Sequence, residues 1–287
     1  YLADPEKDRE DDEELWKRVN PSLGQIFTLD KIRQDYQEAR QNPVDLQNFK
    51  RFRLNIPIRQ LSKWMPMDKW DKCAGTVDAE KLKGRTCYGG LDLSSKLDLT
   101  AFVLVFPPED GGPYDVLCKF YCPEKSIMER SRTDSVRYDI WQEQGLLIAT
   151  PGDVIDYDFI EKDIIQSTRD YQVMEIGYDP WSATQVAIQL NEESGNPQLM
   201  VPVRQGFRTL SAPSKLLESL VARRLINHGG HPVMRWCADN VVVETDPTDA
   251  IKPSKRKSSE KIDCVVALVT ALERASAYQA APMAAIY

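Results

Sequence analysis

The chain has 287 residues, 42% of them hydrophobic and 28% charged, with a formal net charge of −7. That length and apolar content allow one sizeable core with a smaller appendage and exclude wholesale disorder. No apolar run reaches the roughly 20 residues needed to cross a bilayer, and the acidic start lacks the basic and apolar regions of a secretion signal, so the sequence reads as soluble and unsecreted.

The first residue is Tyr1 rather than methionine, from which a processed or shortened chain is expected. Residues 1 to 14, "YLADPEKDREDDEE", carry eight acids and two bases, a net of −6, which leaves the remainder near −1. Up to about residue 83 the pattern is distinct. A helix is predicted over "DKIRQDYQEARQ", with Ile32, Tyr36 and Ala39 on one face, followed by the tryptophan-bearing "LSKWMPMDKWDKC". Apolar positions here are too few for an independent core, so this part is expected to pack on a neighbour or to be the tail of a missing one.

From about residue 84 the pattern becomes mixed α/β. "TCYGGLDL", the continuous apolar run "TAFVLVF" and "DVLCKFYC" read as three strands joined by short links, a meander. A polar helix over about 127 to 144 follows, then a largely helical "PGDVIDYDFIEKDIIQSTRDY" and a strand "VMEIGYD". A helix from about 183, a short strand "LMVPV", a helix over "APSKLLESLVARRLI" and a strand pair near "VMRWCADNVVVE" precede the last helix, "KIDCVVALVTALERASAY".

Six cysteines raise a disulfide or zinc reading, but there is no C-x-x-C pair. Cys118 and Cys122 alternate in phase with Val116 and Phe120, which places them on the apolar face of one strand as small hydrophobes. A zinc site drawn from them with His228, His231 and Cys237 lacks the usual ligand spacing. Reduced thiols in a cytosolic compartment are expected.

The stretch "YGGLDLSSKLDLTAFVLVF" sets carboxylates between two apolar strands, where a sheet has no structural use for them. Asp92 ends the first strand, Asp179 follows "VMEIGY", and Asp263 opens the last helix. Strand ends at one edge of an α/β sheet, with a helix abutting that edge, can bring such distant carboxylates together. Magnesium and manganese take oxygen ligands of this kind while keeping places for water and phosphate. Two such ions about 4 Å apart can activate water and stabilise a leaving oxygen without a Ser, Cys or His nucleophile. Each aspartate also has an ordinary role: Asp92 can feed the "SSK" turn, Asp179 can open a turn before Pro180, and Asp263 suits a helix N-terminus. Asp98 is either an auxiliary ligand or a turn residue, and Glu175 is the alternative to Asp179. At helical spacing Asp263 lines up with the small Ala267 and Thr270, which leaves room beside the carboxylate, while Ile262, Val266 and Val269 form a separate stripe. The motif G-x-x-x-x-G-K-[ST] does not occur, so these residues do not make up a complete ATP-driven motor.

Four segments in order, "GGLDLSSKLDLTAFVLVFP", "GYDPWSATQ", "QGFRTLSAPSKLLESLV" and "KIDCVVALVTALERA", closely resemble the nuclease domain of tailed-bacteriophage large terminase subunits. "DEELWKRVNPSLG" and "KWMPMDKWDKC" resemble the stretch that joins the ATPase domain to that nuclease. The resemblance implies an RNase H-like fold over residues 84–287, a mixed central sheet flanked by helices, with residues 1–83 as linker or ATPase-domain remnant. It puts an acidic triad on Asp92, Asp179 and Asp263, holding two divalent cations, Mg²⁺ or Mn²⁺; many relatives carry glutamate at the second position, so the metal geometry there differs by one methylene. It implies cleavage of concatemeric double-stranded viral DNA in the host cytoplasm, with the small terminase subunit, the portal protein and the ATPase domain of the full-length chain as partners.

The strongly basic "KPSKRKSSEK", residues 252 to 261, keeps a polyanionic partner compatible with the negative total. Lys255, Arg256 and Lys257 are expected to contact the DNA backbone, without reading sequence. Two other readings stand beside this one: a different RNase H-like nuclease of resolvase or transposase type, and a docking module for portal or small subunit whose cutting site idles.

Overall fold

A computed structural model describes residues 3, 8–40, 43–56, 63–93, 99–109, 111–133, 136–258 and 260–280, and the chain divides into two units, Tyr1–Lys63 and Trp64–Tyr287. The first holds α1 (Glu13–Val19), α2 (Leu29–Ala39) and α3 (Pro43–Arg53). Asp12 and Thr28 cap α1 and α2 by accepting from the Glu14 and Lys31 N–H groups. Leu15, Val19, Ile32 and Leu54 are buried with Trp16 and Phe49, and the rings of Trp16, Tyr36 and Phe49 lie 5.3 to 6.0 Å apart. A count of apolar positions predicts too few for a core here. Three aromatic residues make up the deficit, since each buries about 150–250 Å².

The second unit opens with α4 (Met67–Trp70), a 3₁₀ turn (Asp71–Cys73) and α5 (Ala79–Leu82). Trp64, Met65, Trp70 and Cys73 are buried in its larger core. The Trp64 N–H donates to the Val241 carbonyl and the His228 N–H to the Cys73 carbonyl. The tryptophan-bearing stretch therefore belongs to the second unit, and the units part between Lys63 and Trp64 rather than near residue 83.

Next come β1 (Thr86–Asp92), β2 (Thr100–Phe106) and β3 (Tyr114–Pro123), which form the expected antiparallel meander. They are followed by α6 (Glu124–Thr133), α7 (Tyr138–Glu143), β4 (Ile148–Thr150), α8 (Tyr157–Asp170), β5 (Gln172–Tyr178), α9 (Pro180–Ser194) and β6 (Met200–Pro202). The chain continues through α10 (Phe207–Arg223), β7 (Ile226–Asn227), α11 (Pro232–Asn240), β8 (Val243–Thr245), β9 (Ile251–Pro253) and α12 (Asp263–Ala280). The sheet order is β4-β3-β2-β1-β5-β6, with β7 beside β3, and β8–β9 form a separate hairpin. A mixed sheet with three leading antiparallel strands and flanking helices is the RNase H-like arrangement that the resemblance implied.

Two elements differ from the sequence expectation. "VMRWCADN" is helix α11 rather than a strand: Pro232 opens it, and Val233, Met234, Cys237 and Ala238 are buried at helical spacing. The polar helix expected over 127 to 144 is two helices, α6 and α7. Among the described residues no helix is long and apolar enough to cross a membrane.

Strand alternation sorts the core into two layers. Val103, Val105, Val116 and Phe120 join Val265, Leu268 and Leu272 of α12 on one face. Phe102, Leu104 and Phe106 join Ile160 and Ile164 of α8 and Leu190 of α9 on the other. Cys122 is buried in the first layer with Cys118 packed against it, as their phase predicted. Helix α12 touches the sheet almost backbone to backbone. A Cβ on Gly90 would stand 1.9 Å from the Ala267 carbonyl oxygen, and one on Gly177 would stand 2.6 Å from Thr270 Cγ2. The small-residue face of α12 thus seats the helix on β1 and β5, and the room that Ala267 and Thr270 leave is taken by glycine backbone.

Candidate active site

That close seating delivers the site. Asp92 shares the α12 face of β1 with Gly90, two positions away, and Asp263 is the first residue of α12. Both carboxylates are buried, with side-chain exposures of 3% and 9%. Between them lies Lys255, from the turn after β9: its Nζ is 2.7 Å from Asp92 Oδ2 and 2.9 Å from Asp263 Oδ1. Asp263 Oδ2 is buried without a hydrogen-bond partner, and Asp92 Oδ2 meets Lys255 as an ion pair without hydrogen-bond geometry.

Burial pushes the Asp92 carboxyl up to about 7; Lys255 opposes the rise, the Asp263 charge adds to it, and a hydrogen bond from Gln205 works against it. Burial also disfavours the Lys255 ammonium, yet the charges of Asp92 and Asp263 outweigh this and hold its pKa above the ordinary value. The turn carrying Lys255 is pinned by two serines. Ser254 Oγ donates to Glu244 Oε1 at 2.7 Å, Ser258 Oγ donates to the Ser254 carbonyl at 2.8 Å, and the Val242 N–H donates to Ser258 Oγ at 3.0 Å.

Asp179 stands at the same sheet edge without joining the pair. Parallel pairing of β1 with β5 sets Leu91 opposite Tyr178, so the next residues, Asp92 and Asp179, are neighbours along the edge. The Asp179 side chain turns instead to cap α9, accepting from the Trp181 N–H at 3.2 Å. Glu175 is paired with Tyr88 in register, about 13 Å back along the strand from the edge, and it bonds Arg274 at 3.2 Å, so it does not stand in for Asp179. Asp98 lies outside the described residues. Among the described residues no three His, Cys, Asp or Glu side chains are grouped to hold a metal ion. The zinc alternative has no footing there either. His228 stacks on Trp70 at 4.3 Å, its Nε2 is 2.9 Å from the Trp70 carbonyl, and none of the six cysteines is joined in a disulfide.

Of the three basic residues expected at DNA, Lys255 is drawn into the acid pair. Arg256 and Lys257 lie 3.7 and 3.9 Å from Glu244 Oε1, and the Arg256 side chain is 85% exposed. A cavity of about 330 Å³ adjoins them, with Gln205, Glu244, Lys252, Lys255 and Arg256 in its wall. Gln205 begins the segment "QGFRTLSAPSKLLESLV" but carries no charge or period that marks it in the sequence. Trp181, two residues beyond Asp179, is 93% exposed at the start of α9.

Residues 1–279 match the family described as "Terminase large subunit, endonuclease domain". The chain belongs to this family. It is 32% identical over 263 residues to the terminase large subunit of Enterobacteria phage HK97, covering 92% of this chain and 51% of that protein. It is 30% identical to protein YmfN of Escherichia coli K12, covering 97% of this chain and 63% of that protein. A crystal structure of the HK97 bacteriophage large terminase superposes with a TM-score of 0.68 at 31% identity, over 96% of this chain and 56% of that one. The chain thus spans about half to three fifths of the length of these relatives, and what it carries is the terminase endonuclease domain.

Proposed function

We propose that this terminase domain is a metal-dependent endonuclease that hydrolyses double-stranded DNA. The observation that carries the reading is the buried pair Asp92 and Asp263, drawn together around a single cation with Asp263 Oδ2 left without a partner. Two enclosed carboxylates sharing one positive charge form a hard, oxygen-rich donor set of the kind divalent magnesium or manganese prefers. Asp92 and Asp263 would hold the ions. Asp179 would join them by giving up its cap on α9, since it already borders Asp92 at the sheet edge. Two bound divalent ions would supply Lewis acidity, activating water and neutralising charge on the phosphate.

The protein's own groups supply position. Gln205 lines the adjoining cavity, and Gly90 lets α12 set Asp263 beside Asp92. Lys252 and Arg256 give the adjoining cavity its positive charge for a DNA phosphate. On this reading the full-length protein cuts concatemeric viral DNA in the host cytoplasm, together with its ATPase domain, a small terminase subunit and a portal. The first unit, residues 1–63, is then the stretch that connects to the ATPase half.

Cleavage of supercoiled plasmid tests this in Mn²⁺, Mg²⁺ and EDTA, with Asp263→Ala alongside. Nicking and linearisation that need the metal and vanish in the variant are expected. Folded protein that cuts under none of these conditions, or a variant that cuts normally, removes the reading.

A further inference from the structure

The acid pair contains a basic residue that divalent-ion chemistry does not call for. Lys255 Nζ sits between Asp92 Oδ2 and Asp263 Oδ1, within 2.9 Å of each, which is the position from which one cation can touch both carboxylates. We propose that Lys255 is the resident counter-ion of the metal-free site, which a divalent ion must expel in order to bind, so that metal loading and release of Lys255 toward DNA are one event. This inference rests on the metal-dependent reading above.

Charge makes the two occupants exclusive. When both are ionised the carboxylates carry −2 and Lys255 offsets half of it; a divalent ion offsets all of it, and both cations at once would leave two positive centres in contact inside a buried site. Geometry allows the exchange. The Lys255 side chain is 44% exposed despite its anchored end, so it has an open path outward. The backbone of its turn is held by Ser254 and Ser258, so the side chain can swing while the turn stays in place. Its destination is at hand: the adjoining cavity carries Lys252 and Arg256, and a freed ammonium there adds a third positive group for a backbone phosphate.

Calorimetric titration of Mn²⁺ into the DNA-free protein tests the inference without turnover, comparing wild type with Lys255→Met and Lys255→Gln. Both variants are expected to bind Mn²⁺ at least about tenfold more tightly. Unchanged or weaker binding in variants with wild-type circular dichroism overturns the proposal. Lys255→Gln, which keeps a polar side chain at the position, carries the test if Lys255→Met melts too low. Asp263→Asn separates the two layers of inference. It should abolish Mn²⁺ binding, and if it does not, the acid-pair reading falls and this proposal with it. A second readout is the salt dependence of duplex binding in Ca²⁺ against EDTA. In wild type the log–log slope should steepen by about 0.9 when the metal loads, one phosphate contact, and in Lys255→Met it should not change.

Discussion

The two faces of the central sheet bury their carboxylates in opposite ways. On the α12 side, Asp92 and Asp263 are brought together by a helix seated on glycine backbone, and a lysine is placed between them. On the other side, α8 buries Glu161 at 3% exposure with Oε1 lacking any partner. Burial, then the charges of Asp158, Glu193 and Asp156, push that carboxyl up to about 7 as well. Burial thus raises a carboxyl on both faces, and what separates a site from an isolated buried acid is a second carboxylate and a cation within 3 Å. Close helix seating makes that possible on one face only.

The contrast makes predictions of decreasing size. The largest effect belongs to the acid pair: Asp92→Ala and Asp263→Ala should each lower cleavage by about a thousandfold or more, since loss of metal ligation removes several kcal/mol of transition-state stabilisation. Glu161→Ala on the opposite face should leave the rate unchanged. Next is Gly90→Ala, whose Cβ meets a backbone carbonyl that cannot yield; a loss of about 3 kcal/mol or more in urea denaturation is expected. Gly89→Ala points to the other face, where the new Cβ meets Ile176 Cγ1 at 2.8 Å, a side chain able to rotate, and about 1 kcal/mol is expected.

The smallest effect is one of pH. Glu161 has a folded pKa near 7, above its ordinary value of 4.5, so the folded state holds its proton more tightly than the unfolded one. Its contribution to stability is fully present below about pH 4.5 and is lost as pH rises through about 7. Glu161→Gln should therefore raise the melting temperature at pH 8 and leave it unchanged at pH 4. Equal shifts at both pH values would show that Glu161 is not buried as described.

The contrast also explains what could be read from the residues beforehand. The continuous apolar run "TAFVLVF", the alternation in "DVLCKFYC" and the apolar stripe of the last helix were enough for the meander and α12, while the mixed sheet came from the family resemblance. The pairing of Asp92 with Asp263 could be anticipated because a carboxylate at a strand end and another at a helix start are unusual company for apolar runs. Lys255 was legible only as a basic loop residue, because its place between the acids depends on where the β8–β9 hairpin folds. Gln205 gave no signal of its own: an amide in a polar loop has no period, and its partner Asp92 is distant in sequence. Helix α11 was hidden by the short apolar pairs of "VMRWC" and "VVVE", which fit a strand or a helix equally well. The core of the first unit was underestimated because counting apolar positions gives no extra weight to aromatic size.

Strand β1 takes its antiparallel partner from nearby β2, its parallel partner from β5 and its covering helix from α12. A ribosome emits these pieces in order, so β1 and β2 leave the exit tunnel long before residues 263–280 exist. Helices α1 to α3 can close on their own core during that interval. Asp92 has no Asp263 beside it until α12 emerges and seats on Gly90. On the proposed reading the nascent chain therefore carries a nuclease that cannot act during its own synthesis, and the glycine that permits the final docking sets the moment at which the acid pair is complete.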